Sequence, residues 1–165
     1  METNNVSTSP NIIVNPIPPH YNGAVPYLYV DNANAAVEFY IHAFGATELV
    51  CIRDMHNKVS HCELEIGKAR IMLSDEYPEQ NCLSPKTLGG ASSGFSLFFE
   101  NAEEIFIKAI AAGAKEVLKV EKRFCGDLEG KLIDPFGHHW FIATHVEDVP
   151  YEVMKERAGN LKKLQ

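Results

Sequence analysis

The stretch VPYLYVDNANAAVEFYIHAFGA, residues 25–46, returns in outline as FSLFFENAEEIFIKAIAAGA, residues 95–114, about 70 positions later. Each copy opens on a short apolar and aromatic run, which predicts a strand. A short polar residue follows, Asp31 in the first copy and Asn101 in the second. Such side chains can accept from the free N–H groups of a first helical turn, so both are expected at a helix N-cap. Gly45 and Gly113 then stand where a helix ends in a left-handed residue. Between those limits Ala36, Phe39, Tyr40, Ala43 and Phe44 fall on one helical face. Ala102, Ile105, Phe106, Ala109 and Ile110 do so in the second copy.

Three strand-like segments follow each helix. In the first half they are 48–54, 60–66 and 69–74, separated by turns at 55–58 and at Gly67-Lys68. In the second half they are 115–120, 128–134 and 138–145, the last two joined through Pro135-Phe136-Gly137. His61, Glu63 and Glu65 alternate with Cys62, Leu64 and Ile66, as a strand with one buried face requires. Each half therefore reads β-α-β-β-β, and the expected class is α+β with two tandem modules. The organisation follows: a flexible N-terminal arm over 1–20, a single domain over 21–149 and a helical tail over 150–165. The domain comprises modules 21–75 and 92–149 joined by a loop over 76–91. Pro150 is expected as the first helical residue of the tail, with Val153, Met154 and Leu161 as its apolar side. Within the arm, Ile12, Ile13, Val14 and Ile17 are apolar enough to pack on a partner subunit.

Composition narrows the function. The 165 residues are 45% hydrophobic and 22% charged, which fits a packed domain and excludes wholesale disorder. Fifteen Lys and Arg against 22 Asp and Glu give a net charge of −7. That balance argues against nucleic acid and anionic membranes as partners, because both need clustered cations. Cys51, Cys62, Cys82 and Cys125 stand singly, with no zinc-ribbon spacing and no disulfide framework. They are expected as free thiols. The N-terminus lacks a basic start and an apolar core, so no secretory leader is read there. The expected location is the cytoplasm.

A family resemblance is carried by Pro26-Tyr27-Leu28-Tyr29-Val30, Glu38-Phe39-Tyr40, Ala43-Phe44-Gly45-Ala46 and the segment His61 to Gly67. It continues in Met72 to Glu76, Ser84-Pro85, Leu88-Gly89-Gly90 and Gly126-Asp127. It is strongest at Asp134-Pro135-Phe136-Gly137-His138-His139-Trp140 and at Ala143-Thr144-His145. On these residues the chain, from about Tyr21 to Arg157, resembles the vicinal oxygen chelate superfamily and, within it, the PhnB-like, glyoxalase/bleomycin-resistance-like branch. The resemblance implies the glyoxalase/bleomycin resistance/dihydroxybiphenyl dioxygenase fold, in which each module curls into a half-barrel and paired modules enclose a concave cup. It also implies a homodimer and a small-molecule ligand. Enzymes of this fold place metal ligands on the first and last strands of each module. The corresponding positions here hold Ala24, Gly94, Phe141 and Ser74, none of them a good ligand. A glyoxalase-type metal site is therefore expected to be degenerate.

His61 and Glu63, two residues apart on one strand, can form an acid–base pair or chelate a divalent metal. They are the catalytic candidates, with His61 as a weak metal candidate. Tyr27, Tyr29, Phe95, Phe98 and Trp140 are expected to line the cup together with the 76–91 loop. Trp140 suits core packing equally well. Arg123 can clamp an anionic ligand, its guanidinium suiting carboxylate or phosphate, or stand as an ordinary surface arginine. His138 is expected to brace its turn through backbone bonding and His145 to bond the segment that follows. The leading function is small-molecule binding in an apolar cup with no committed cofactor. The alternative is a metal-dependent lyase, isomerase or dioxygenase using His61 and Glu63. A methyltransferase is disfavoured, since no helix-opening Gly-rich motif follows a strand to hold adenosylmethionine.

Overall fold

The computed structural model describes residues 14–21 and 23–161. Ile12 and Ile13, expected to pack on a partner, lie outside the described residues, whereas Val14 and Ile17 are exposed. The first module runs β1 (Tyr27–Val30), α1 (Ala33–Phe44), β2 (Thr47–Arg53), β3 (Val59–Ile66) and β4 (Ala69–Asp75). The second runs β5 (Gly94–Phe98), α3 (Ala102–Ala111), β6 (Lys115–Lys122), β7 (Asp127–Ile133) and β8 (His139–His145). Each forms a mixed four-stranded sheet, ordered β1-β4-β3-β2 and β5-β8-β7-β6. The first strand is parallel to the last, and the remaining pairs are antiparallel. The sheets are open, as the α+β tandem βαβββ reading expected.

Two local expectations need correction. The N-cap of α1 is Asn32 and not Asp31: Asn32 is extended, with φ −154°, and its side chain accepts from Ala35 N–H. Asp31, one residue too early, pairs instead with Lys86 at 2.8 Å. The 76–91 segment is more ordered than a plain loop. It holds a single 3₁₀ turn (Pro78–Gln80) and a short helix, α2 (Pro85–Leu88), capped by Ser84 on Thr87 N–H. The second-module helix behaves as expected, with Asn101 accepting from Glu104 N–H. The tail forms α4 (Tyr151–Leu161), with Pro150 just before it and accepting from Met154 N–H.

The repeat extends to the polar contacts that fix each helix. The first N–H of α1, at Ala33, donates to the Asp75 carboxylate at the end of β4, at 2.8 Å. Its counterpart at Ala102 donates to the Thr144 hydroxyl on β8, also at 2.8 Å. Each module thus ties its helix start, which has no intrahelical acceptors, to its last strand. The helices pack against each other, α1 on α3. Trp140 of β8 is fully enclosed against Tyr40 and Phe44 of α1, with ring centroids 5.4 and 5.0 Å away. The modules therefore share one core, and the opposite faces of their sheets are left for other uses.

Candidate functional site

Strand β3 alternates as its sequence requires. Cys62, Leu64 and Ile66 are buried toward α1, while His61, Glu63 and Glu65 occupy the other face and are half-buried. The register of the sheet sets Met72 of β4 opposite Glu63, and Tyr27 of β1 opposite Met72. Tyr27, His61 and Glu63 therefore stand on one face of three adjacent strands.

Their side chains form a connected network. His61 Nε2 lies 3.2 Å from Glu63 Oε1, and the Tyr27 hydroxyl lies 3.3 Å from His61 Nδ1. The other oxygen of Glu63 accepts from the Tyr21 hydroxyl and meets Arg70 Nη1 at 3.5 Å. The Arg70 guanidinium also lies over the Tyr21 ring, 4.9 Å from its centre. Hydrogen bonding from Tyr21 is the main reason that the Glu63 carboxyl is held below its usual pKa, with His61 and Arg70 adding to the effect against burial. The same bond raises the Tyr21 phenol. With Glu63 ionised, His61 Nε2–H donates to it, and Nδ1 is then free to accept from Tyr27. Tyr27, His61 and Glu63 form a chain along which a proton can be held or passed.

Tyr27 also borders a cavity of ≈ 370 Å³, with Tyr29 and Ser74 from the sheet and Tyr77, Gln80 and Cys82 from the following segment. The Cys82 thiol, then burial, raises the Tyr29 phenol above its ordinary pKa. The segment is held by Glu76, whose carboxylate accepts from Ser84 N–H at 2.8 Å and from the Thr87 hydroxyl. Lys58 closes the other side, lying 3.8 Å from the Tyr77 ring centre and donating to Glu76 O.

The remaining sequence candidates lie elsewhere. Phe95 and Trp140 border a separate cavity of ≈ 410 Å³, which Arg70 also reaches. The Trp140 indole donates to Asp134 at 2.8 Å. Phe98 is 62% exposed beside the Gly67-Lys68 turn. Arg123 stands beside Phe124 and Arg157 near α4, sharing its charge loosely with Glu121 and Glu129 at 3.9 and 3.8 Å. Within one chain, then, Tyr27, Tyr29, His61 and Glu63 gather, and Phe98 and Arg123 do not join them. Sequence reading missed Tyr21 and Arg70. Arg70 shares its strand face with Met72 and Ser74, so β4 alternation was an available signal; Tyr21 precedes β1 and gave none.

His138 and His145 also separate. His138 Nε2–H donates to Tyr29 O at 3.2 Å, so it bridges to β1 of the other module rather than bracing its own turn. His145 bonds Asp127 at 2.7 Å and Asp148 at 3.1 Å, the second within the segment that follows β8. Burial is the main cause that lowers the His138 pKa below 6.5, against the attraction of Asp134. Its folded form resists a proton that the unfolded chain accepts. Stability from this group is therefore present above pH 6.5 and lost as pH falls below it, by at most about 1.4 kcal/mol per pH unit. His145 runs the other way: Asp127, then Asp148, raises its pKa, so its contribution is present at low pH and lost as pH rises. Comparing urea midpoints of the protein and of His138→Gln above and below pH 6.5 isolates His138. The variant is expected to lose less stability on acidification; an identical loss would refute the assignment.

The resemblance in the sequence implies a metal in some relatives, and the donor set on this face decides whether one fits. Glu63 already serves Tyr21, His61 and the cationic Arg70. Among the described residues, no third His, Cys, Asp or Glu ligand atom gathers with His61 and Glu63; the clustered ligand set is Glu48, Cys51 and Cys62. A cation beside Glu63 would displace Arg70 and gain only two protein ligands. The residues of this face do not fit a resident glyoxalase-type metal.

Comparison with known proteins agrees with the fold. The model of the Glyoxalase/Bleomycin resistance protein/Dioxygenase superfamily matches residues 17–142. An uncharacterized protein of Mycobacterium bovis is 35% identical over 127 residues, covering 75% of this chain and 84% of that protein. The crystal structure of an Arabidopsis thaliana gene product superposes with a TM-score of 0.59 at 30% identity, over 73% of this chain and 96% of that one. The fosfomycin resistance protein FosX of Listeria monocytogenes superposes with a TM-score of 0.57 at 12% identity, over 81% and 97%.

Proposed function

Because this chain belongs to the Glyoxalase/Bleomycin resistance protein/Dioxygenase superfamily, we propose that it binds a small organic molecule on the open face of its first sheet. The polar end of the ligand meets His61 and Glu63, and its apolar part lies against Tyr27 and Tyr29. The observation that carries this reading is the continuity between the Tyr27–His61–Glu63 chain and the tyrosine-lined cavity of ≈ 370 Å³, with Tyr27 common to both. A site of that size, with three tyrosine rings beside Ser60, Ser74, Gln80 and Cys82, combines aromatic surface with convergent polar groups, as a small-ligand pocket does. An antibiotic-like ligand is in keeping with the resistance protein among its structural neighbours.

A homodimer belongs to the same proposal. Val50 and Ile52 of β2 and Leu118 of β6 are 45%, 55% and 48% exposed on strands at the sheet edges. Exposed edges of this kind are covered in most soluble proteins. A second copy would cover them.

The test is native mass spectrometry and elemental analysis of freshly purified protein, followed by NMR titration with small aromatic acids and alcohols. A retained or titrated molecule is expected to perturb Tyr27, Tyr29 and His61. Glu63→Gln is expected to weaken it about tenfold or more, the scale of one hydrogen bond to a charged group. Stoichiometric divalent metal that disappears in His61→Ala would overturn the reading in favour of a metal-dependent lyase, isomerase or dioxygenase.

A further inference from the structure

The opposite face of β3 carries a second cluster. Cys51 of β2 and Cys62 of β3 are direct cross-strand partners. In a regular strand Glu48 and Cys51, three residues apart, would point to opposite faces. The register shift between Glu48 and Val50 inserts an extra residue, Leu49, so Glu48 and Cys51 come to the same side. The sulfurs of Cys51 and Cys62 and a carboxylate oxygen of Glu48 consequently lie within 4.8 Å of one another. Cys62 is fully buried beneath α1, Cys51 is half-buried and Glu48 is exposed, so the cluster opens to solvent through Glu48.

From this geometry we infer that Glu48, Cys51 and Cys62 form a binding site for a soft divalent cation of the Zn²⁺ or Cd²⁺ type, with a fourth position left to solvent. Two thiolates and one carboxylate are the donor set such d¹⁰ ions favour over Mg²⁺ or Ca²⁺, which take oxygen ligands. Zinc–sulfur bonds of about 2.3 Å place two sulfurs about 3.8 Å apart in a tetrahedron, so closing the site needs movements of about an ångström. The exposed Glu48 arm can supply its part of that movement. Arg53, now 3.5 Å from Glu48, competes for the carboxylate. Both side chains of that pair are about a third exposed, at 34% and 37%, so releasing it costs little. Arg53 then balances the single negative charge left by three anionic ligands around a dication. The site is separate from the His61–Glu63 network, which occupies the other face of the same strand.

Cys62 is not set up as a nucleophile. Burial first, and Cys51 second, hold the Cys62 thiol well above its ordinary pKa, so no reactive thiolate forms without a cation.

Titration of the fully reduced protein with Cd²⁺ alone, followed by its thiolate-to-metal charge-transfer absorption and by native mass, decides the matter. One bound ion with a charge-transfer band is expected. Cys51→Ser is expected to abolish the band, and Glu48→Gln to weaken binding about tenfold or more. Cys62→Ser removes a fully buried group and can fail to fold, so the two surface-side variants carry the test. Cys82→Ser, Cys125→Ser and His61→Ala are expected to retain the band. Absence of the band in the reduced protein, its survival in Cys51→Ser, or its loss in Cys82→Ser or Cys125→Ser would each overturn the assignment. Loss in His61→Ala would place the ion on the other face and overturn it as well, in a manner distinct from a failure of small-molecule binding.

Discussion

Replacing Asp134 by alanine is expected to lower the unfolding free energy by about 3–5 kcal/mol. The carboxylate is 3% exposed and serves four donors. One oxygen accepts from Phe136 N–H and His138 N–H, both at 2.9 Å, which builds the turn into β8. The other accepts from the Tyr40 hydroxyl at 2.7 Å and the Trp140 indole at 2.8 Å. Tyr40 belongs to the first module and Trp140 to the second, so one carboxylate holds the two halves in register. Removing it strands two buried side-chain donors, each costing about 1–3 kcal/mol, besides loosening the turn. Burial and the neighbouring carboxylate raise the Tyr40 phenol far above its ordinary pKa, so Tyr40 remains a neutral donor throughout. Urea unfolding followed by fluorescence reads the interface directly, because Trp140 is the only tryptophan. A loss below about 1 kcal/mol would refute the hub. In a double-mutant cycle, Tyr40→Phe should cost less in the Asp134→Ala background than in the native protein.

That hub marks the boundary between what sequence reveals and what packing decides. The Asp134-Pro135-Phe136-Gly137 turn is legible because its signals are local: an acceptor two residues before the N–H it serves, then a proline and a glycine. The interior place of Trp140 is not, because its neighbours Tyr40 and Phe44 come from the other module, and strand alternation does not say which element covers a face. The same division runs through the candidate site. His61 and Glu63 share a strand, so a spacing of two predicts their contact. Tyr21 and Arg70 reach Glu63 only through the path of the chain before β1 and the β3–β4 register. The thiol pair is hidden for a further reason. Cys51 and Cys62 meet through hairpin pairing, and Glu48 joins them only because a bulge breaks the strand period that sequence reading assumes. The helix cap differs by a single residue, since Asp31 and Asn32 are adjacent and both competent caps; Asn32 takes the role and Asp31 pairs with Lys86.

Gly126→Ala is expected to destabilise by about 3 kcal/mol or more, on two separate grounds. Gly126 adopts φ +96°, in the left-handed half of backbone space where a side chain is strained. A Cβ there would also stand 2.1 Å from Glu147 O and 2.8 Å from Val149 Cγ2, a clash with backbone that no rotamer change relieves. The close approach exists because Gly126 O accepts from both Val146 N–H and Glu147 N–H, fastening the β6–β7 turn to the segment after β8. Glu147 stands at that junction between Lys122 and Arg157, and Arg157 first, then Lys122, holds its carboxyl down to about 2. The variant must push the segment away, so it should loosen α4 as well as the turn, and hydrogen exchange should rise at Val146, Glu147 and the start of α4. Gly159→Ala supplies the contrast. It lies within α4, a Cβ there meets nothing within 4 Å, and its backbone is ordinary. Alanine at 159 is expected to add about 0.5–1 kcal/mol by restricting the unfolded chain and favouring the helix. If Gly126→Ala left the urea midpoint unchanged or raised it, the close packing of the turn against Glu147 would be wrong.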